Sequence, residues 1–259
     1  MRRILCWFAA ATFLLAGICE SAATTRLLFV GNSLTYVGNL PAVLDALADA
    51  NGRTVASDML VSAGATLSER VADGSARRAI AADRYDYVIL QERGGDLIGA
   101  QGDASVRRSN AAHDALARFS RSHGVKPILL GTYQTMPEPS RALVAAESAA
   151  AQRLTMTYVG VSQRLRTAMT SAPDAEWFAA DHVHPGPDLT LLEALLLYRQ
   201  LFGELPRAAP LAIDVPMYGV HSGFSTPTLV PAGSAPATEP AHRYSRERVE
   251  RILAIATSP

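Results

Sequence analysis

Cysteine is nearly absent from this 259-residue chain, and its two copies, Cys6 and Cys19, both stand in the first apolar stretch. From Glu20 onward there is no thiol to form a disulfide, attack a substrate or ligate a metal. Stability must then come from a hydrophobic core. Lysine is reduced to Lys126 alone. With 24 basic against 24 acidic residues the net charge is zero, so neither a basic face for nucleic acid nor an acidic solvating tail is expected. Beyond the N-terminus no apolar run approaches the roughly 20 residues of a membrane span.

The N-terminus itself has a processing pattern. Arg2 and Arg3 precede the short apolar run "ILCWFAAATFLLAGIC", and "ESAATT" then offers small residues for cleavage after Ala23. A lipid anchor on Cys19 is the weaker reading, because Ile18 occupies a position that should be small. Residues 1–23 are thus expected to be a signal peptide. The mature chain is expected to be exported, to the periplasm or beyond, with no membrane span.

Short apolar runs alternate with amphipathic stretches up to about residue 202. "LLFVG" is continuous and bounded by turn residues, as a strand buried on both faces must be. Further strands are expected over 54–62, 86–91, 126–132 and 157–161. Leu40, Val43, Leu44 and Leu47 repeat with helical spacing; Asn39 is placed to cap that helix, Pro41 lies in its first turn and Gly52 lies past its end. Other helices are expected over 71–82, 105–122, 138–153, from 163, and over 188–202. This alternation predicts an α/β domain spanning 24–259, with a central parallel sheet covered on both faces. Residues 206–241, rich in proline and small side chains, are expected to form an irregular excursion. A terminal helix over 243–256 would pack back through Val249, Ile252 and Leu253.

Sites in such sheets lie at the carboxyl ends of the strands. Ser33, Gly64, Gln91 and Thr132 all fall there. Serine-based acyl chemistry needs a hydroxyl in a tight turn, a histidine to take its proton, a carboxylate to orient the histidine, and donors for the oxyanion. Ser33 occupies such a turn, although a serine between strand and helix is also the usual helix cap. "DHVHPG" supplies Asp181 and His184 three residues apart, a spacing that lets the carboxylate reach Nδ1 while Nε2 points outward. The same segment admits a metal reading, with Asp181, His182 and His184 as ligands.

The segments "GNSLT", "SAGATL" and "DHVHPG" resemble, in order and separation, blocks of the SGNH (GDSL-type) hydrolases. The resemblance implies a three-layer α/β/α, flavodoxin-like fold without cofactor or metal. It makes Ser33 the nucleophile, Asp181 and His184 the rest of a triad, and the Gly64 N–H an oxyanion donor. Two departures stand out: Asn32 replaces the family's usual Asp, and the third block, usually Gly-x-Asn-Asp, reads "LQERGGD". Gln91 is the expected replacement donor there, with Arg93 second. The implied activity is ester hydrolysis on a small-molecule or carbohydrate ester, and the other reading is a binding module that has kept only the groove. Glu92 and Asp96 are read as a solvated pair rather than an acid/base couple. His113 and His123 are read as surface residues, and His221 and His242 as part of the tail. Tyr36, Tyr133, Trp177 and Phe178 suit either core or groove.

Overall fold

A computed structural model describes residues 23–231 and 242–257. Residues 1–22, which hold both cysteines and most of the expected signal peptide, and residues 232–241 of the excursion lie outside it. The first strand, β1 (Thr25–Gly31), lies between β2 (Val55–Val61) and β3 (Tyr87–Leu90), and β4 (Lys126–Leu130) and β5 (Thr157–Val159) extend the sheet beyond β3. These five strands are parallel.

Alternation within the strands divides the core into two. Leu27, Phe29, Met59, Val61 and Ile89 face one layer, and Leu28, Val30, Leu60, Val88 and Leu90 the other. Each such side chain contributes about 1.5–3 kcal/mol on burial. The first layer holds α2 (Leu40–Asp49), α7 (Ser162–Ser171), α8 (Pro187–Phe202) and α9 (Arg246–Thr257). The second is built on α4 (Ser75–Ala82) and α5 (Asp103–Ser122), with Leu67 of α3 (Leu67–Ala72) and the end of α6 (Pro137–Arg153). This is the expected three-layer α/β/α architecture.

Three local outcomes differ from the periodicity. The helix expected over 71–82 is two helices. Gly74 is left-handed (φ +71°), and the Asp73 carboxylate accepts from the N–H and hydroxyl of Ser75, which closes a turn where a helix would continue. The excursion is also more ordered than its composition suggests. Its strand β7 (Thr228–Val230) adds antiparallel to β2 at the sheet edge, and β6 (Leu211–Ile213) pairs with β8 (His242–Tyr244). The terminal helix begins at Arg246, because residues 242–244 are taken by β8. It does pack through Val249 and Ile252, both fully buried. Among the described residues no helix is long and apolar enough to cross a membrane.

Candidate active site

Ser33 opens α1 (Ser33–Tyr36), a single turn entered directly from β1, but it is not the cap. Asn32 is: its Oδ1 accepts from Leu34 N at 3.0 Å and its backbone carbonyl accepts from Thr35 and Tyr36. The Ser33 hydroxyl is therefore free of capping and partly exposed at the sheet end. Asn32 also donates, through Nδ2 to the Ala65 carbonyl at 3.1 Å. One side chain thus joins the serine turn to the loop that follows β2. An aspartate could not make that second bond, since an ionised carboxylate only accepts.

Gly31 is required by a close approach. A Cβ there would lie 2.0 Å from Thr35 Oγ1, which donates instead to Gln91 Oε1 at 2.6 Å.

The loop carrying Gly64 is held from several sides. Ala63 N donates to the Phe224 carbonyl of the excursion, Ala65 N donates back to Ser62, and Leu67 N donates to Glu92 Oε1. Gly64 itself is exposed and left-handed (φ +65°). Among the described residues neither its N–H nor that of Ser33 is hydrogen-bonded, so both donors are unspent.

The third segment departs from expectation. Gln91 is 1% exposed; its Oε1 accepts from Thr35, and its Nε2 donates to Glu193 of α8 at 3.4 Å. Its amide is spent in the layer beneath the site and not at an oxyanion. Glu92 and Asp96, read as solvated, are both buried. Glu92 accepts from Leu67 N, Arg93 N and Ser109 Oγ, so it clamps the Gly64 loop to α5. Asp96 accepts from Ser105 and from two nitrogens of Arg93, each of the latter at 3.0 Å. His113, read as a surface residue, is 0% exposed; its Nδ1 donates to the Ser109 carbonyl, and burial holds its pKa down. The helical face that carries it is the one that packs on the sheet. His123 and His221 are exposed.

Asp181 and His184 meet as the spacing predicts. His184 Nδ1 lies 2.5 Å from Asp181 Oδ2, while Oδ1 accepts from the N–H groups of Val183 and His184 at 3.0 Å each. Partial desolvation works to raise the Asp181 pKa. The hydrogen bonds from the His184 ring and from the two amides outweigh it and hold the carboxyl at about 2. The loop folds on itself through Ala179 N to the His184 carbonyl, and Tyr133 Oη donates to the Val183 carbonyl at 2.7 Å. Tyr133 and Phe178 are in ring contact; Trp177 is core, and so is Tyr36, in tilted ring contact with Phe224 of the excursion. His182, exposed and left-handed (φ +57°), is not gathered with its neighbours, and among the described residues no three His, Cys, Asp or Glu side chains form a metal-binding group. No hydrogen bond joins His184 Nε2 to Ser33 Oγ among the described residues. The end of α1 and the Asp181 loop border a cleft of about 480 Å³, lined by Val37, Gly38 and Asp181 and by Met217, Tyr218 and Val220 of the excursion; Ser33, Gly64 and His184 are not part of its lining.

The root of the Asp181–His184 loop is latched by α9, which the sequence did not suggest. Asp188, 0% exposed in the first turn of α8, accepts from Arg248 Nε at 2.6 Å and from Glu176 N at 2.8 Å. Arg248 also pairs with Glu176 at 2.5 Å, and Tyr244 Oη donates to the Pro187 carbonyl.

No family model and no curated protein matches the sequence. Solved structures do match. The chain is similar to a DUF4886 family protein from Bacteroides uniformis at 16% identity, over 70% of this chain and 84% of that one (TM-score 0.57). It is similar to an acetylxylan esterase from Geobacillus stearothermophilus at 16% identity, over 73% and 100% (TM-score 0.57). It is similar to the esterase EstA from Pseudoalteromonas, in a structure inhibited by monoethylphosphonate, at 14% identity, over 68% and 96% (TM-score 0.52). The fold is that of the SGNH (GDSL-type) hydrolases.

Proposed function

We propose that this chain is an exported serine ester hydrolase that works through an acyl-enzyme on Ser33. The observation that carries the reading is the division of labour at the serine turn. Asn32 does the capping and bonds the Ala65 carbonyl, which leaves a free hydroxyl and a free Ser33 N–H tied to the Gly64 loop, while a second loop holds His184 oriented by the Asp181 carboxylate.

The chemistry follows from those positions. Asp181 fixes the proton on His184 Nδ1, so Nε2 is the basic nitrogen. His184 removes the Ser33 proton as Oγ attacks the ester carbonyl. The oxyanion so formed is stabilised by the Ser33 and Gly64 N–H groups, and His184 returns the proton to the departing alkoxide. Water, deprotonated by the same nitrogen, then releases the acid and restores Ser33. The absent Ser33–His184 hydrogen bond is consistent with a free enzyme, in which catalytic contacts are commonly long until substrate binds. A small acyl group, acetyl above all, on a carbohydrate is the favoured substrate; the acetylxylan esterase neighbour supports that class.

The test is labelling by a fluorophosphonate, read by intact mass and peptide mapping. One adduct on Ser33, absent in Ser33→Ala and in His184→Ala, is expected. Folded wild-type protein that takes no label would leave the binding-module reading instead.

A further inference from the structure

Glu193 sits in the middle of α8 with 0% exposure, and no cation pairs with it among the described residues. Oε1 accepts only from Gln91, and Oε2 has no partner. Burial pushes its pKa well above the ordinary carboxylate value. A leucine of similar volume would fill this place without an unsatisfied polar atom, so packing does not explain the carboxyl.

Its neighbours do. Gln91 carries the contact from Glu193 to Thr35, two residues beyond Ser33 in the same helical turn. Without an acceptor at Glu193, nothing holds the Gln91 amide with its oxygen towards the Thr35 hydroxyl, and a half-turn of the amide would set N–H against that hydroxyl. Burial, with smaller contributions from Glu193 and Asp181, raises the pKa of the Tyr133 phenol, which holds the Val183 carbonyl next to His184.

We propose that Glu193 is a positioning residue, whose carboxyl oxygen fixes Gln91 and through Gln91 and Thr35 holds the turn that presents Ser33. Its effect on rate rests on the esterase reading; its effect on the turn does not. The experiment compares Glu193→Leu, Glu193→Gln and Gln91→Leu in the full chain by three readouts: thermal midpoint, amide hydrogen exchange over residues 31–38, and the rate of fluorophosphonate labelling. Glu193→Leu is expected to unfold at or above the wild-type temperature while exchange in the turn quickens about tenfold or more. Labelling should slow by about tenfold or more. Glu193→Gln retains an acceptor oxygen and should stay within about threefold of wild type in both. Gln91→Leu cuts the chain at its middle; it should match Glu193→Leu and decides the question if that variant does not fold. Wild-type exchange in the turn of the leucine variants, or a glutamine variant as impaired as leucine, would overturn the proposal. If wild type takes no label, the esterase reading falls, and the exchange comparison still decides the role of Glu193.

Discussion

Replacing Asp181 by asparagine isolates what its carboxylate does. The side-chain oxygen of Asn can still accept from the N–H groups of Val183 and His184, so the loop keeps its turn. The other position, now an NH₂, faces His184 Nδ1 across the 2.5 Å contact. An amide can only donate there, which forces the imidazole proton onto Nε2, the nitrogen that should accept from Ser33. A base held in the wrong tautomer loses about 10³–10⁴ in rate, or about 4–5.5 kcal/mol of transition-state stabilisation. Stability should change little. The Asp181 side chain is 34% exposed, and exposed ion pairs contribute about 0–1 kcal/mol. Its folded pKa is lowered from 3.8 to about 2, so whatever it contributes is present above about pH 4 and lost as the pH falls towards 2. Asp181 therefore remains charged across the working range, and any acid limb in activity above about pH 3 belongs to another group. The assay is the second-order rate of fluorophosphonate labelling at pH 7, with p-nitrophenyl acetate turnover and a thermal melt beside it. An Asp181→Asn protein that melts like wild type and labels within tenfold of it would refute the reasoning.

Two further outcomes concern the frame around the site. Arg248→Met leaves Asp188 fully buried with Arg251 at 3.5 Å as its remaining cation, and should destabilise by about 3–5 kcal/mol in urea titration; adding Asp188→Asn should recover part of the loss, and strict additivity would contradict the latch. Glu147, buried in α6, accepts from Thr132 N, Thr132 Oγ1 and Tyr158 Oη, yet burial outweighs those bonds and raises its pKa to about 7. Its raised pKa makes the folded state lose stability as pH climbs from about 4.5 to about 7, as do those of Asp45 and Glu193; Glu147→Gln should reduce that slope in urea midpoints measured across the interval, and an unchanged slope would assign it to the other two.

What the sequence disclosed followed short-range rules. Leu27 to Val30 could only be a doubly buried strand, and Asp181 and His184, three residues apart in one loop, needed no tertiary information to meet. Where a rule was local and overlooked, as with the Thr66–Glu69 capping box that starts α3 ahead of residue 71, the information was present in "TLSE". Long-range partners were not legible. Nothing in "LQERGGD" indicates that Gln91 turns toward α8 or that Glu92 reaches Leu67 and Ser109, because each contact spans elements brought together only by the crossovers. The order in the excursion was hidden for the same reason. Phe224 and Tyr218 have no periodic neighbours, yet their carbonyls accept from Ala63 and Gly38, at the ends of β2 and α1.

The question of whether Ser33 caps the helix has a physical answer one residue earlier. A one-turn helix entered straight from a strand has N–H groups to satisfy, and Ser and Asn are comparably good at it. Had the cap fallen on Ser33, its oxygen would be accepting from the turn and would have less freedom to meet a carbonyl. By placing the cap on Asn32, the fold satisfies Leu34 N and at the same time ties the turn to Ala65, next to Gly64. The departure from the usual aspartate is then informative. An aspartate would satisfy the cap but would set an acceptor against the Ala65 carbonyl, so the Ser33 turn and the Gly64 loop would have to be aligned by other means. Here the alignment is direct, and it leaves unused the Ser33 hydroxyl and the Ser33 and Gly64 N–H groups that the proposed chemistry requires.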